Sequence, residues 1–463
     1  MRRAVLSVLA ALLSACASHH PLPLPAAVGA PRIADLKVDA ARMPVRSLAR
    51  HVFDPRDGLD ETETAMLAVA ASPELQALRA AAGVAHAQAF AAGLLPDPQL
   101  TWSQDFVTGG SGGPGATSPF GLGIAYDVGS LLTRSSRQAA ARWHERQVDL
   151  DLLWAEWQTV ARARSLFAQV QMQRAQLARL DAETQALQSL RARVTAASNH
   201  RQLSEDAAAL AINAVADLER QDLEARVRLE DSEQALRLLL GLRADAALPL
   251  QGEPQASLPS AARLHALLAD LPARRPDLLA LQAGYRAQDA SLRAAILAQF
   301  PAINVGFTRA RDNAGVYTSG YAVSLTLPLF DRNRGRIAIE SATRQQLHDE
   351  YAARLLAAHS DVARLQAELA LDDEGLRRAR AHAEALDAAR RAAETAWNRH
   401  ALDWPTYLSL RTGALSAALA ADAIAQRRAE TAVALQTLLG ADDWSASAQA
   451  TMTLADRAGD ASR

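Results

Sequence analysis

Cysteine, lysine and aromatic residues are scarce in this sequence of 463 residues. Cys16 is the only cysteine and Lys37 the only lysine, so no disulfide can form within one chain. Aromatic residues make up 5%, and the hydrophobic 49% is carried mainly by Ala and Leu, a composition typical of long helices. The net charge of −2 leaves no basic surface for nucleic acid.

Recognisable catalytic motifs are also missing. The sequence has no His-Glu-x-x-His pattern and no glycine-rich phosphate loop followed by lysine. Its charged residues recur at the spacing of helix surfaces rather than in compact clusters. We therefore expect no enzymatic activity, no catalytic residue, no metal site and no dissociable cofactor.

The N-terminus carries the sharpest local signal. Arg2 and Arg3 precede an apolar run, residues 4–12, that is too short to span a bilayer. The run ends in Leu13-Ser14-Ala15-Cys16, which resembles a bacterial lipobox. We expect residues 1–15 to be a signal peptide and Cys16 to carry covalent lipid such as palmitate. Ala17, rather than Asp, after the cysteine is the pattern of lipoproteins sorted to the outer membrane.

An internal repeat organises the rest of the chain. Ser72-Pro73-Glu74-Leu75 recurs as Arg275-Pro276-Asp277-Leu278, and leucine clusters before Gly241 and Gly440 close the two halves. We expect each half to contain a helix, two strands and a long helical hairpin. The predicted division is a lipid-anchored N-terminal segment at 16–60, repeats at 61–242 and 275–441, a linker at 243–274 and a tail at 442–463.

Four segments show a strand-like alternation between apolar and small or polar residues, at about 98–107, 118–128, 301–309 and 319–329. Glycine-rich turns at 109–115 and 312–315 join them in pairs. Such alternation is typical of transmembrane barrel strands. The residues predicted to face lipid are Leu100, Trp102, Phe120, Leu122, Ile124, Ile303, Val305, Phe307, Val323 and Leu325.

A half-buried soluble sheet would show the same alternation, so the strands alone leave both readings open. The lipobox, and the lack of a second apolar layer to cover the sheet, favour the membrane. Four strands cannot close a barrel, and open edges in lipid would leave backbone groups unpaired at several kcal/mol each. We therefore expect several chains to build one barrel.

The hairpin segments, about 132–241 and 333–440, are long and almost free of helix breakers. No glycine or proline occurs between Gly129 and Gly241. Helices of about sixty residues would extend about 90 Å. Apolar residues at heptad-like steps, such as Leu177, Leu180, Leu187, Leu190 and Val194, predict coiled-coil packing. A long structural coiled coil would explain these segments equally well if they stood alone.

In combination, these features resemble the TolC family of outer-membrane efflux proteins over residues 60–445. The resemblance is carried by the paired helix starts, by Leu95-Pro96-Asp97-Pro98, by the run from Ser324 to Gly335 and by the Leu-Leu-Gly closures. It implies a mainly α fold with a small β part. Each protomer of a homotrimer would give four strands to a twelve-stranded barrel and its hairpins to an α-barrel in the periplasm.

The same resemblance implies a passive duct in the Gram-negative outer membrane. An inner-membrane pump and a periplasmic adaptor protein would drive small toxic solutes, drugs or metal ions, through it. Two alternatives remain open: an exit duct for a secreted polypeptide, and a lipid-anchored periplasmic coiled-coil scaffold.

The hairpin tips, 199–205 and 398–404, are the expected gate and adaptor contact. The residues predicted to act there are His200, Arg201, Leu203, Glu205, His400, Leu402 and Asp403. Arg201 and Ala401 stand where the family commonly has glycine, while Leu203 and Leu402 keep its leucine. His200 and His400 are best explained as solvated tip residues rather than metal ligands.

Overall fold

A computed structural model describes residues 19–25, 29–106, 117–200, 205–254 and 260–440, together with Gln449 and Thr451. Cys16, Arg201, Leu203 and the predicted turn at 109–115 lie outside these residues. In chain order the elements are α1 Arg46–Arg50, α2 Glu61–Ala71, α3 Pro73–Gly93, β1 Gln99–Gln104, β2 Phe120–Asp127, α4 Gly129–Asn199, α5 Glu205–Leu239, α6 Ala261–Ala269, α7 Leu271–Arg274, α8 Pro276–Leu297, β3 Ala302–Arg311, β4 Tyr317–Thr326, α9 Arg334–Asn398 and α10 Trp404–Leu439.

Two antiparallel helical hairpins, α4–α5 and α9–α10, contain most of the described residues. Helix α4 has 71 residues, which corresponds to about 105 Å at 1.5 Å per residue. It continues for this length because neither glycine nor proline interrupts it. Helix α9 tolerates Gly375 in its interior.

The four strands form one antiparallel sheet in the order β1-β2-β3-β4. The β2–β3 ladder joins the two halves of the chain and places Ile124 opposite Phe307. Strand β3 continues to Arg311, two residues beyond the predicted 309. Strand β4 ends at Thr326 rather than 329, because its ladder finishes at the Ala302 pair and Pro328 has no N–H with which to extend it.

The same order of elements occurs twice among the described residues. Helix α3, strands β1 and β2 and the α4–α5 hairpin are followed later by α8, β3, β4 and the α9–α10 hairpin. Both α3 and α8 have a proline in the first turn, where the missing N–H would be unbonded in any case. Small sequence repeats therefore start structurally equivalent helices.

The largest core joins the N-terminal segment to the first hairpin. Met43, Leu48 and Met66 pack there with Trp157 of α4 and Leu240 after α5. The indole N–H of Trp157 donates to the backbone oxygen of Thr437 at 2.8 Å, so the end of the second hairpin is also attached at this level. Isolated parallel bridges pair residue 30 with 242 and residue 59 with 250. The N-terminal segment and the linker thus lie against the same part of the hairpins.

A second core lies between the hairpins toward their tips. Leu180, Leu187, Leu190 and Val194 of α4 are buried there, and Leu177 packs against them. The apolar residues that contact them come from α5 and from the start of α10: Ala208, Ala211, Val215, Leu218, Trp404, Tyr407 and Leu408. The heptad-like residues of α4 thus face the interior of the helical bundle.

Candidate functional site

One face of the sheet carries all ten residues predicted to face lipid. The register places Leu100 opposite Ile124, and Ile124 opposite Phe307, on this face. In the single chain eight of the ten are exposed, with Leu100 at 73% and Val323 at 64%, while Phe120 and Ile303 are half-buried. A continuous apolar surface of this kind on one side of a sheet needs an apolar environment. Its contact with lipid remains a prediction.

The opposite face is built of small and polar residues. Gly121 and Gly123 of β2 lie so close to β1 that an added Cβ would stand 2.7 Å from the hydroxyl oxygens of Ser103 and Thr101 respectively. Along β3 and β4 this face continues with Asn304, Gly306, Thr308, Gly320, Ala322 and Ser324. A sheet that is bulky and apolar on one side and small and polar on the other suits a wall between lipid and water.

Both outer strands of the sheet have an unpaired edge. Within the described residues β1 pairs only with β2, and β4 pairs only with β3. Such edges leave a row of backbone donors and acceptors available to another strand. The sheet can therefore be extended from both sides by strands of other chains.

The tip of the first hairpin is described only in part. Helix α4 ends at Asn199, and the N–H of His200 donates back to Ala196. Arg201 and Leu203 lie outside the described residues, and the side chain of Glu205, the first residue of α5, is likewise not described. Their predicted contact with an adaptor stays a prediction.

The tip of the second hairpin is a tight turn with a defined cap. His400 adopts a left-handed conformation with φ of 58°, and Leu402 packs against the core near the tips. The Asp403 carboxylate accepts hydrogen bonds from the Thr406 N–H at 2.8 Å and from the Thr406 hydroxyl at 2.9 Å. These bonds hold the pKa of Asp403 below its ordinary value. Asp403 thus caps α10, a role that its spacing to Thr406 signals in the sequence.

A junction between the hairpins was not anticipated from the sequence. Arg411 of α10 donates to both carboxylate oxygens of Glu183 in α4 and, at 2.6 Å, to the hydroxyl of Tyr407. Both charged side chains are only 13% exposed. Burial opposes the charge of Arg411, but the bonds to Glu183 and its charge outweigh this and raise the pKa of Arg411. The ring of Trp397 stacks on Tyr407 with centroids 5.4 Å apart.

A buried ion network lies where the second repeat begins. Arg275 donates to Asp277 through two bonds of 2.9 and 2.7 Å, and Arg354 of α9 donates to the same carboxylate at 3.1 Å. Desolvation, together with the negative charge of Asp277, raises the pKa of Asp151 to about 6, although His144 acts in the opposite direction. Asp151 therefore has an unfavourable environment for its charge.

His51, Asp60 and Glu63 bring three potential metal ligands together. However, Glu63 already accepts from the backbone N–H of Asp54 at 2.8 Å and of Asp60 at 3.1 Å. Asp60 in turn accepts from the N–H of Glu63 at 2.7 Å. Asp60 and Glu63 thus form the capping box that starts α2, and His51 lies beside it, 3.6 Å from Asp60.

Solved structures with the same architecture are outer-membrane channels. The Campylobacter jejuni CmeC channel matches with a TM-score of 0.72 at 14% identity, over 95% of this chain and 98% of that one. The open Neisseria gonorrhoeae MtrE channel matches with a TM-score of 0.66 at 19% identity, over 91% of this chain and 97% of that one. The Vibrio cholerae outer-membrane protein VceC matches with a TM-score of 0.67 at 17% identity, over 82% of this chain and 96% of that one. No protein-family model and no curated protein matches the chain. The chain thus has the TolC-like fold of outer-membrane channels.

Proposed function

We propose that this chain is the outer-membrane exit duct of a tripartite efflux system. The observation that carries the proposal is the four-stranded sheet with an exposed apolar face and two unpaired edges, joined to helical hairpins of up to about 105 Å. Three copies would supply twelve strands and satisfy every edge, which a bilayer requires. The small, polar face would then line a water-filled lumen.

The helical hairpins would continue this lumen through the periplasm toward an inner-membrane pump and its adaptor protein. The pump would supply the energy, and the duct would supply a path and a gate at the hairpin tips. The charged junction between Arg411 and Glu183 supports a gate there, because it joins the two hairpins near the tips. Lipid on Cys16 would hold each protomer at the inner surface of the outer membrane.

The test has a biochemical and a cellular part. The full chain, expressed with its own N-terminus, should enter the outer-membrane fraction and give heat-resistant trimers in detergent. The N-terminal peptide of the mature protein should carry the mass of a lipidated Cys16. Deletion of the gene should sensitise the cell to a subset of drugs, solvents or metal ions, and the complemented strain should recover. A monomer that stays in the aqueous fraction would contradict the proposal.

Two alternatives give different outcomes. A polypeptide-secretion duct would also form trimers, but its deletion would abolish export of a protein and leave drug and metal sensitivity unchanged. A lipid-anchored scaffold would be water-soluble once Cys16 is replaced. The exposed apolar face formed by Leu100, Trp102 and Val323 favours a membrane-inserted protein over such a scaffold.

A further inference from the structure

Two arginines interrupt the apolar face of the sheet at the end remote from the helices. Arg309 pairs with Leu122 and Arg311 with Phe120 across the β2–β3 ladder. Since alternate residues of a strand share a face, both arginines lie on the same face as Val305 and Phe307. Two positive charges therefore belong to a face that is otherwise mainly apolar, with Gln104 and Ser319 as its uncharged polar residues at this end.

Aromatic rings surround both guanidinium groups. The Arg311 guanidinium lies 5.4 Å from the ring centroid of Phe120 and 6.0 Å from that of Tyr317. Arg309 lies 5.9 Å from the Tyr317 centroid, and the two rings meet edge to face at 6.2 Å. The rings restrict both cations and leave their charge uncompensated.

Neither arginine has an anionic partner among the described residues. Arg311 donates to the backbone oxygen of Ser118 at 2.9 Å, while its Nε is buried without an acceptor. Asp312 pairs with neither arginine, and its Oδ1 accepts from the N–H groups of Ala314 and Val316 in the turn at 2.9 Å each. Residues 107–116 contain no acidic side chain that could serve instead. The counter-charge must come from outside these segments.

The position of the two arginines along the axis of the proposed barrel indicates where that counter-charge lies. Tyr317 lies directly opposite Arg311 in the β3–β4 ladder. The exposed Leu327 lies ten positions after Tyr317, just past the end of β4. At about 3.3 Å per residue and a tilt of about 40°, this interval spans about 25 Å of height, the thickness of the apolar band of an outer-membrane barrel. Arg311 would therefore lie at the outer edge of the band, where lipid headgroups begin.

We propose that Arg309 and Arg311 bind the phosphate groups of an anionic lipid in the outer leaflet. The inference rests on the proposed function, because it requires that this face meets lipid. Arginine forms paired, charge-assisted hydrogen bonds with phosphate, and Phe120 and Tyr317 hold both side chains beside the acyl chains. A lipid bearing two phosphates can engage both arginines at once.

The experiment measures thermal unfolding of the full-length trimer in dodecyl maltoside micelles. Diphosphorylated lipid A is titrated in, with phosphatidylcholine and free inorganic phosphate as separate arms. A ligand that binds only the folded state raises the melting temperature, so the diphosphorylated lipid should raise it and the other two should not. In Arg309→Gln/Arg311→Gln, the lipid concentration for half of this shift should rise about tenfold or more, as expected on losing charge-assisted hydrogen bonds.

The matched control is Arg377→Gln/Arg378→Gln, which removes two exposed arginines of α9 that pair with Glu374. It should retain the wild-type response, and Arg309→Lys/Arg311→Lys should retain part of it. If the double glutamine variant forms no trimer, Arg309→Gln alone carries the test, because the side chain of Arg309 is exposed and makes no hydrogen bond among the described residues. An equal lipid response in wild type and the glutamine variants, or a response to free phosphate alone, would overturn the inference. Failure of the wild type to form trimers would instead overturn the proposed function.

Discussion

Arg411 of α10 donates two hydrogen bonds to the carboxylate of Glu183 in α4 and so joins the second hairpin to the first. The partners are 228 residues apart in the chain, and both are largely buried. A contact of this kind must break if the hairpins separate near their tips. In the proposed duct it would therefore oppose the opening of a gate at the tips.

Arg411→Ala should favour the open duct. A hydrogen bond between charged groups contributes about 1.5–3 kcal/mol, so its loss should raise the single-channel conductance of the trimer in a planar bilayer or the fraction of time spent open. Arg391→Ala is the matched control, because Arg391 and its partner Asp387 both belong to α9 and their pair does not join the two hairpins. Equal conductance of Arg411→Ala and wild type would exclude this contact from gating.

Val323→Arg should prevent assembly, whereas Ser324→Arg should not. The two residues are adjacent and exposed, but they lie on opposite faces of β4. An arginine on the lipid face near the midplane destabilises a transmembrane barrel by about 2–4 kcal/mol, whereas an arginine that faces the lumen is tolerated. The measurement is the yield of heat-resistant trimer in the outer-membrane fraction. Similar yields for both variants would refute the predicted facing of the sheet.

Asp403 can be tested for adaptor contact only if its capping role is separated from its charge. Asp403→Ser keeps an acceptor for the Thr406 N–H and removes the charge, whereas Asp403→Ala removes both and should also lower the melting temperature, because α10 loses its cap. If the charge meets an adaptor, both variants should weaken binding of the purified trimer to the adaptor. An effect limited to Asp403→Ala would assign the residue to the helix cap alone.

Asp151→Asn should flatten the pH dependence of stability. The pKa of Asp151 is raised from its ordinary value of 3.8 to about 6 in the folded chain. Between these values the folded state binds more protons than the unfolded state, so stability falls as the pH rises through this window. Thermal unfolding from pH 4 to 8 should show that the variant loses less stability than wild type. Asp361→Asn is the control, because Asp361 is a half-buried residue of α9 that lies beside Arg364, and this variant should follow the wild-type curve.

Much of the architecture could be predicted from the sequence because its signals are local. Alternation of period two places Leu122 and Ile124 on one face whatever the rest of the chain does. The absence of glycine and proline from 130 to 240 allows one uninterrupted helix until the tip at 199–205. The capping role of Asp403 at the start of α10 was not predicted, although Asp403 and Thr406 have the required spacing.

Contacts between distant segments were not accessible in this way. Arginine and glutamate recur along every helix surface, so nothing in the local sequence distinguishes Arg411 and Glu183 from exposed pairs such as Arg377 and Glu374. Likewise Arg309 was predicted only as the last residue of β3, and Arg311 lay beyond the predicted end of that strand. Their significance depends on the register that brings Phe120 and Tyr317 beside them.

The ladder between β2 and β3 has a mechanical consequence. It fastens the two halves of the protomer at the sheet with a continuous row of backbone hydrogen bonds. Toward the tips the halves meet instead through packed side chains, which are the apolar core around Leu187 and Trp404 and the pair of Arg411 with Glu183. If the two hairpins move apart, their separation would therefore be greatest at the tips and zero at the sheet, which would act as the hinge. If three copies form the proposed duct, its bore at the sheet would keep a constant diameter while the distance between the tips changes.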